Sequence, residues 1–130
     1  TGVNFADLAI ALWDEIRAID DPDVRRGLIR RLAERLAERY MGHVTGTSIE
    51  EKMESLAELF AERQVPFSVD QDRNGLPILT ALACPYPDLA EKDRSICALE
   101  RILFSEVLGN SMQLSQCRLD GQNCCRFELN

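Results

Sequence analysis

Apolar residues in the first part of the chain recur at three- and four-residue intervals, the pattern of amphipathic helices. The pattern predicts a first helix over residues 3–19 with Asn4 as its N-cap, and a second over residues 22–41 that Gly42 can end. Asp21 followed by Pro22 is a strong start signal for the second helix. Its apolar stripe follows a regular four-residue repeat with Ile29 alongside, and we expect the stripe either to pack in the chain's own core or to pair two copies of the chain: Leu28, Leu32, Leu36 and Tyr40.

A third helix is predicted from a capping box, in which Ser48 is followed three residues later by Glu51. It runs to about residue 64, and Pro66 then begins an extended region. Alternating residues 67–70 predict a strand, and an Asn-Gly turn at 74–75 leads to a returning strand over residues 78–84. The second strand is apolar on both faces, which predicts a central position in the sheet.

The remaining pattern predicts one helix and one hairpin. The helix begins at Asp88 or Asp93 and ends at Gly109, and the hairpin joins residues 112–119 to residues 124–129 around Asp120-Gly121. The predicted fold class is therefore α+β, with N-terminal helices followed by a small antiparallel sheet in β-β-α-β-β order. We expect a single domain over residues 1–130, with helices in residues 3–64 and a cysteine-bearing α+β part in residues 66–130.

Composition and charge exclude several classes of protein. The chain has 130 residues, is 45% hydrophobic and carries a formal net charge of −7. A duplex nucleic acid repels such a chain unless its basic residues cluster strongly. Six arginines do cluster in the second helix, but acidic residues are interleaved with them, which predicts a solvated face: Arg25, Arg26, Arg30, Arg31, Arg35 and Arg39. With no recognisable signal peptide and no apolar run of ~20 residues, we expect a cytoplasmic protein that does not enter a membrane.

All five cysteines lie in the last part of the chain, from Cys84 onward. An odd number of cysteines without a secretion signal argues against a disulfide framework. The cysteines can then be ligands for a metal or cluster, or they can be small buried hydrophobic residues. We favour the interpretation that they are ligands. Because no C-x-x-C motif is present, such a site could assemble only in the tertiary fold.

The pairing of the last cysteines depends on the hairpin. A two-residue loop would place Cys117 across from Cys124, whereas a bulge or a longer loop would bring Cys117 beside Cys125. Other candidate chemistry is sparse. Glu100 lies one helical turn after Cys97, and the single histidine, His43, is expected in a surface loop. We find no nucleophile and base that would indicate an enzyme.

One series of residues resembles a known family. It runs through Cys84-Pro85-Tyr86, then Cys97 to Glu100, Leu108-Gly109, Cys117, and finally Cys125 to Leu129. This series is similar to the C-terminal sensor domain of ArsR/DeoR-like winged-helix transcriptional regulators, including the repressor of iron–sulfur cluster assembly genes. Its last segment also looks like the ending of vinyl-4-reductase-type ligand-binding domains.

The resemblance implies a sensor and dimerisation domain of a bacterial transcriptional regulator that signals cluster or redox status. It implies an iron–sulfur cluster, 4Fe–4S or 2Fe–2S, with zinc as the alternative, and a homodimer formed through the N-terminal helices. The ligands and cofactor-binding residues it implies are Cys84, Cys97, Cys117 and Cys125. DNA would be bound only through a winged helix, which this chain does not contain.

Two alternatives to a cluster sensor stay open. One is a small-molecule-binding module with a pocket between sheet and helices, in which the thiols lie too far apart to share a metal. The other is a structural zinc held by four cysteines.

Overall fold

The computed structural model describes residues 4–122 and 124–130. Within them the chain forms five α-helices, four strands and one 3₁₀ turn. The helices are α1 (Phe5–Arg17), α2 (Pro22–Met41), α3 (Ile49–Glu62), α4 (Pro87–Lys92) and α5 (Ser95–Leu108). The strands are β1 (Phe67–Gln71), β2 (Pro77–Ala81), β3 (Met112–Gln116) and β4 (Cys125–Leu129), and the 3₁₀ turn spans Arg118–Asp120.

The predicted α+β class and the order of its elements are confirmed, with one difference in the fourth helix. That helix is divided into α4 and α5 at Asp93, whose backbone is extended. The Asp93 carboxylate accepts hydrogen bonds from the Ser95 backbone N–H at 3.0 Å and from the Trp13 indole Nε1–H at 2.9 Å. Partial burial raises the pKa of Asp93, but these hydrogen bonds outweigh it, so the pKa lies below its ordinary value. Asp93 therefore separates two helices and tethers α1 to their junction.

Local signals set most helix ends as predicted. The Asp21 side chain accepts from the first turn of α2, and Ser48 with Glu51 forms the capping box of α3. Gly109 ends α5 with φ 71°, in the left-handed region that glycine adopts without strain. Asn4 is the N-cap residue of α1, as predicted, but its side chain makes no cap hydrogen bond.

The buried stripe of α2 is displaced by one residue from the prediction. Ile29, Ala33 and Ala37 are buried with Tyr40, whereas the repeated leucines are only half-buried. The buried face of α2, which packs along α5, includes the small residues Ala33 and Ala37, and Ala33 is 0% exposed. Small side chains let two helices approach closely, and the larger leucines then flank the contact.

The sheet is antiparallel throughout, in the order β1-β2-β4-β3. β2 lies in its interior as predicted, and every residue of β2 is buried. This strand ends at Ala81, so Cys84 follows the strand and does not belong to it, and Leu82 is exposed. Pro85 and Pro87 come just after this point, where the chain turns into α4.

The register between β3 and β4 changes at Ser115. Leu114 pairs with Phe127, whereas Gln116 pairs with Arg126, so β3 has one extra residue between these pairs. Of the two connections that the sequence left open, the longer one is present, because the 3₁₀ turn lies between β3 and β4. Continuing the shifted register places Cys117 opposite Cys125.

Aromatic rings join the helices to the sheet. The Phe104 ring on α5 stands edge-on to three others, with centroids 6.1 Å from Phe60, 5.8 Å from Phe67 and 4.8 Å from Phe127. Phe104 is 0% exposed and Phe127 1% exposed. This packing holds α5 against the sheet and leaves a cavity beside Phe127, where α4 covers the space between them.

Candidate functional site

A cavity of about 150 Å³ lies between α4, α5 and the sheet. Residues after β2 and after β3, together with β4, complete its wall. It is lined by four cysteines, two glutamates and five apolar residues: Cys84, Cys97, Cys117, Cys125, Glu91, Glu100, Pro87, Ala90, Leu114, Leu119 and Phe127. Pro87 and Glu91 on α4 are exposed and form the rim, whereas Phe127 and Glu100 are buried.

All four predicted site cysteines line this single cavity. Cys97 comes from the first turn of α5, Cys84 from the segment between β2 and α4, Cys117 from the end of β3, and Cys125 from the start of β4. They are far apart in the chain, and the fold brings them to one cavity, as the absence of a local motif requires.

The fifth cysteine, Cys124, does not line the cavity. Its Sγ lies 4.0 Å from the Gln116 Oε1 atom. Cys125 begins β4 on the face that also carries Phe127, because alternate residues of a strand share a face. The sequence left open whether Cys117 lies across from Cys124 or beside Cys125. The extra residue at Ser115 shifts the register towards Cys125.

Glu100 is the polar side chain buried within the cavity wall, with 5% of its surface exposed. The Cys84 thiol donates to Glu100 Oε1 at 3.8 Å, and the Tyr86 backbone N–H donates to Cys84 Sγ at 3.4 Å. Burial raises the pKa of Glu100 to about 7, which the Cys84 hydrogen bond only partly offsets. A carboxyl with this pKa changes its charge near neutral pH.

The Cys97 thiol is held in its neutral form. Burial raises its pKa to about 12 together with the neighbouring Cys117, Glu100 and Cys125, which disfavour another negative charge nearby. A thiol with such a pKa is a poor nucleophile, because the thiolate is the reactive species. The wall at Cys97 is thus weakly polar and uncharged.

The thiols share the cavity wall without forming a metal centre. Among the residues that the structure describes, no group of three or more histidine, cysteine, aspartate or glutamate side chains is arranged to hold a metal ion. The expectation of a metal-binding, iron–sulfur protein is therefore wrong for this arrangement. The reason is geometric: cysteines on one cavity wall need not point to one centre. Whether a cluster or zinc is taken up as a cofactor, with rearrangement of these residues, stays a prediction.

Other predicted features lie away from the cavity. His43 is exposed in the loop after α2, as expected. No helix in residues 4–122 and 124–130 is long and apolar enough to cross a membrane.

Sequence reasoning missed the contribution of α4. The predicted helix began at Asp88 or Asp93, and a separate short helix that places Pro87, Ala90 and Glu91 over the cavity was not foreseen. Phe127 could have been found, because it lies two residues after Cys125 and so on the same strand face. No local signal marks Leu119, which reaches the cavity through the 3₁₀ turn.

Comparison with known proteins gives one informative likeness, to a solved structure. No protein-family model matches the chain, and no curated protein matches it. A trafficking protein particle complex subunit 3 from Naegleria fowleri, solved covalently bound to palmitic acid, is similar in structure with a TM-score of 0.55. The two share 15% sequence identity, and the match covers 97% of this chain and 93% of that one. The likeness shows the fold, and it includes the N-terminal helices as well as the cysteine-bearing part.

This finding overturns the resemblance drawn from the cysteine series. The chain shares its fold with that subunit, so its recognition as the sensor domain of a winged-helix regulator is wrong. The function that the resemblance implied, a cluster-binding sensor and dimerisation domain for transcription, is wrong with it. The resemblance rested on short segments and their order along the chain, and such segments do not define how a chain folds between them.

Proposed function

We propose that this chain binds a compact and mostly apolar small molecule, about the size of a single ring, in the cavity beneath α4. The observation that carries the proposal is the cavity itself, with a volume of about 150 Å³ and a largely apolar wall. An engineered apolar cavity of about 150 Å³ in another protein takes up benzene. Binding pockets typically combine such apolar walls with a few polar groups that orient the ligand.

The cysteines contribute apolar surface to the wall. A free cysteine packs as a small hydrophobic residue with a weak S–H donor. The raised pKa of Cys97 supports this role, since a neutral thiol adds no charge to the cavity. The arrangement agrees with the alternative in which the thiols are wall residues of a pocket between helices and sheet.

The palmitic acid of the similar structure suggests a different occupant, which the dimensions of this cavity do not favour. That protein is covalently bound to palmitic acid. A cavity of about 150 Å³ accommodates a ring and not a long acyl chain. We therefore propose a compact occupant for this chain.

The test is a binding series with toluene and benzyl alcohol, followed by thermal unfolding and calorimetry. A ligand at one hundred times its Kd stabilises the folded state by roughly 2.7 kcal/mol, which shows as a rise in Tm. Ala90→Leu should fill the cavity and abolish the rise, whereas Ala11→Leu adds the same atoms at an exposed position of α1 and should leave it intact. Absence of binding by any single-ring compound contradicts the proposal.

Metal content is measured on the same preparation, purified without oxygen. Stoichiometric iron and sulfide, or zinc, would show that the thiols converge on a cofactor and that the cavity is occupied by it. That result would replace the small-molecule proposal. A metal-free protein that binds a single-ring compound supports it.

We also propose that the chain is a non-enzymatic, cytoplasmic protein that forms a homodimer through its N-terminal helices. Cysteines held as thiols suit a reducing compartment. Phe5, Leu8 and Leu12 form an exposed apolar stripe on α1, at 71%, 55% and 57% exposure. Light scattering should give a dimer for the native chain and a monomer for Leu12→Glu, and a monomeric native chain would contradict the pairing.

A further inference from the structure

The charged groups that the structure describes in the cavity wall are acidic. Thiols aside, the described ionisable side chains that line it are Glu91 and Glu100, and among the described side chains no lysine, arginine or histidine lines it. Glu91 is exposed at the rim, whereas Glu100 is buried further in. An entering molecule therefore meets one carboxylate at the mouth and a second one inside.

The Glu100 carboxyl has weak compensation for its burial. Its hydrogen bond comes from the Cys84 thiol at 3.8 Å, and a thiol is a weak donor. The salt bridges found among the described residues, Arg26 with Asp23 and Arg94 with Asp120, do not reach it. Burying a carboxylate is costly unless a charge or several donors compensate it. A positively charged group on a ligand would therefore stabilise the Glu100 carboxylate.

We infer that the occupant of this cavity carries an amino group, which binds as an ammonium ion to the Glu100 carboxylate while its ring or short apolar body fills the space beside Phe127. This inference rests on the proposed function and gives the chemical class of its ligand. An ammonium group supplies three N–H donors and the missing positive charge, whereas a hydroxyl group supplies one donor and no charge. Glu91 at the rim attracts the same cation on entry.

The inference is tested with benzylamine and benzyl alcohol, which have the same ring and differ in the amino and hydroxyl groups. Calorimetry on the native chain should show benzylamine binding at least tenfold more tightly than benzyl alcohol. Glu100→Gln keeps the size of the side chain but removes its charge, and it should abolish this preference. Glu106→Gln, on the exposed face of the same helix, removes the same charge away from the cavity and should retain it.

The outcomes separate the ligand class from the proposed function. If both compounds bind the native chain with equal affinity, or benzyl alcohol binds more tightly, the inference that the ligand carries an amino group is overturned and the cavity proposal stands. If neither of these compounds binds and toluene does not bind either, the amino-group inference and the cavity proposal are both overturned. A benzylamine preference that persists in Glu100→Gln overturns the assignment to Glu100. Because the comparison of the two compounds uses the native chain, it remains decisive even if Glu100→Gln fails to fold.

Discussion

The buried carboxyl of Glu100 should make the folded state less stable as the pH rises through neutrality. Its pKa is raised from 4.5 to about 7 by burial, so the fold favours the protonated form. A shift of one pKa unit corresponds to about 1.4 kcal/mol. Through Glu100, the free energy of unfolding is therefore roughly 3 kcal/mol higher below pH 4.5 than at high pH. This contribution is fully present below pH 4.5 and is lost as the pH rises through about 7.

Glu100→Gln removes the titrating group and keeps a side chain of similar shape. Other carboxyls titrate alike in the native chain and in the variant, so the difference between their unfolding free energies isolates Glu100. That difference should shift in favour of the variant by roughly 3 kcal/mol between pH below 4.5 and pH well above 7. The difference in unfolding free energy at acidic pH depends on how well the amide replaces the neutral carboxyl. The change in this difference between acidic and alkaline pH does not depend on that replacement.

Urea unfolding followed by tryptophan fluorescence measures this shift. Trp13 is the single tryptophan of the chain and is 5% exposed, so its emission reports unfolding. Glu106→Gln serves as the control, because it removes a carboxyl from an exposed position of the same helix. Parallel pH profiles for the native chain and Glu100→Gln would refute the reasoning, since they would mean that Glu100 is solvated in the folded state.

Three further substitutions test the elements that frame the cavity. Asp93→Ala removes the acceptor of the Trp13 indole and should lower the unfolding free energy, measured in urea, by about 1–2 kcal/mol. Because the pKa of Asp93 is lowered in the folded state, this loss of stability should diminish as the pH falls below about 3.8. Ser48→Ala removes the capping box of α3 and should cost about 1 kcal/mol, seen as a lower Tm, and an unchanged Tm would count against the cap. Gly109→Ala places a Cβ at φ 71° without a steric clash and should cost about 1 kcal/mol through backbone strain alone, so circular dichroism should show intact helix content with an earlier thermal transition.

The pattern of apolar residues predicted the elements well where a signal acts within a few residues. Asp21 with Pro22, Ser48 with Glu51, and Gly109 each set a helix end through bonds or backbone conformations inside one turn. The pattern did less well where neighbouring elements decide the outcome. Residues Leu28 to Tyr40 form a regular apolar repeat, yet α5 packs on the adjacent small residues because they permit closer approach.

The cysteines show the limit of motif reasoning most clearly. Their number and their confinement to the second half drew attention to residues that the fold brings together, since Cys84, Cys97, Cys117 and Cys125 all line the cavity. Their order along the chain also suggested a regulator with another fold, which the structural comparison contradicts. Spacing between cysteines constrains geometry only across short loops, and these residues are separated by whole helices and strands.

The sequence alone established the α+β class and most of the helix starts, because these depend on side chains near one another in the chain. Only the tertiary structure decided that Cys117 lies opposite Cys125, through one extra residue at Ser115, and that α4 covers a cavity with Glu100 in its wall. Register, cavity volume and the burial of a charge depend on contacts between segments far apart in sequence, which no local pattern encodes.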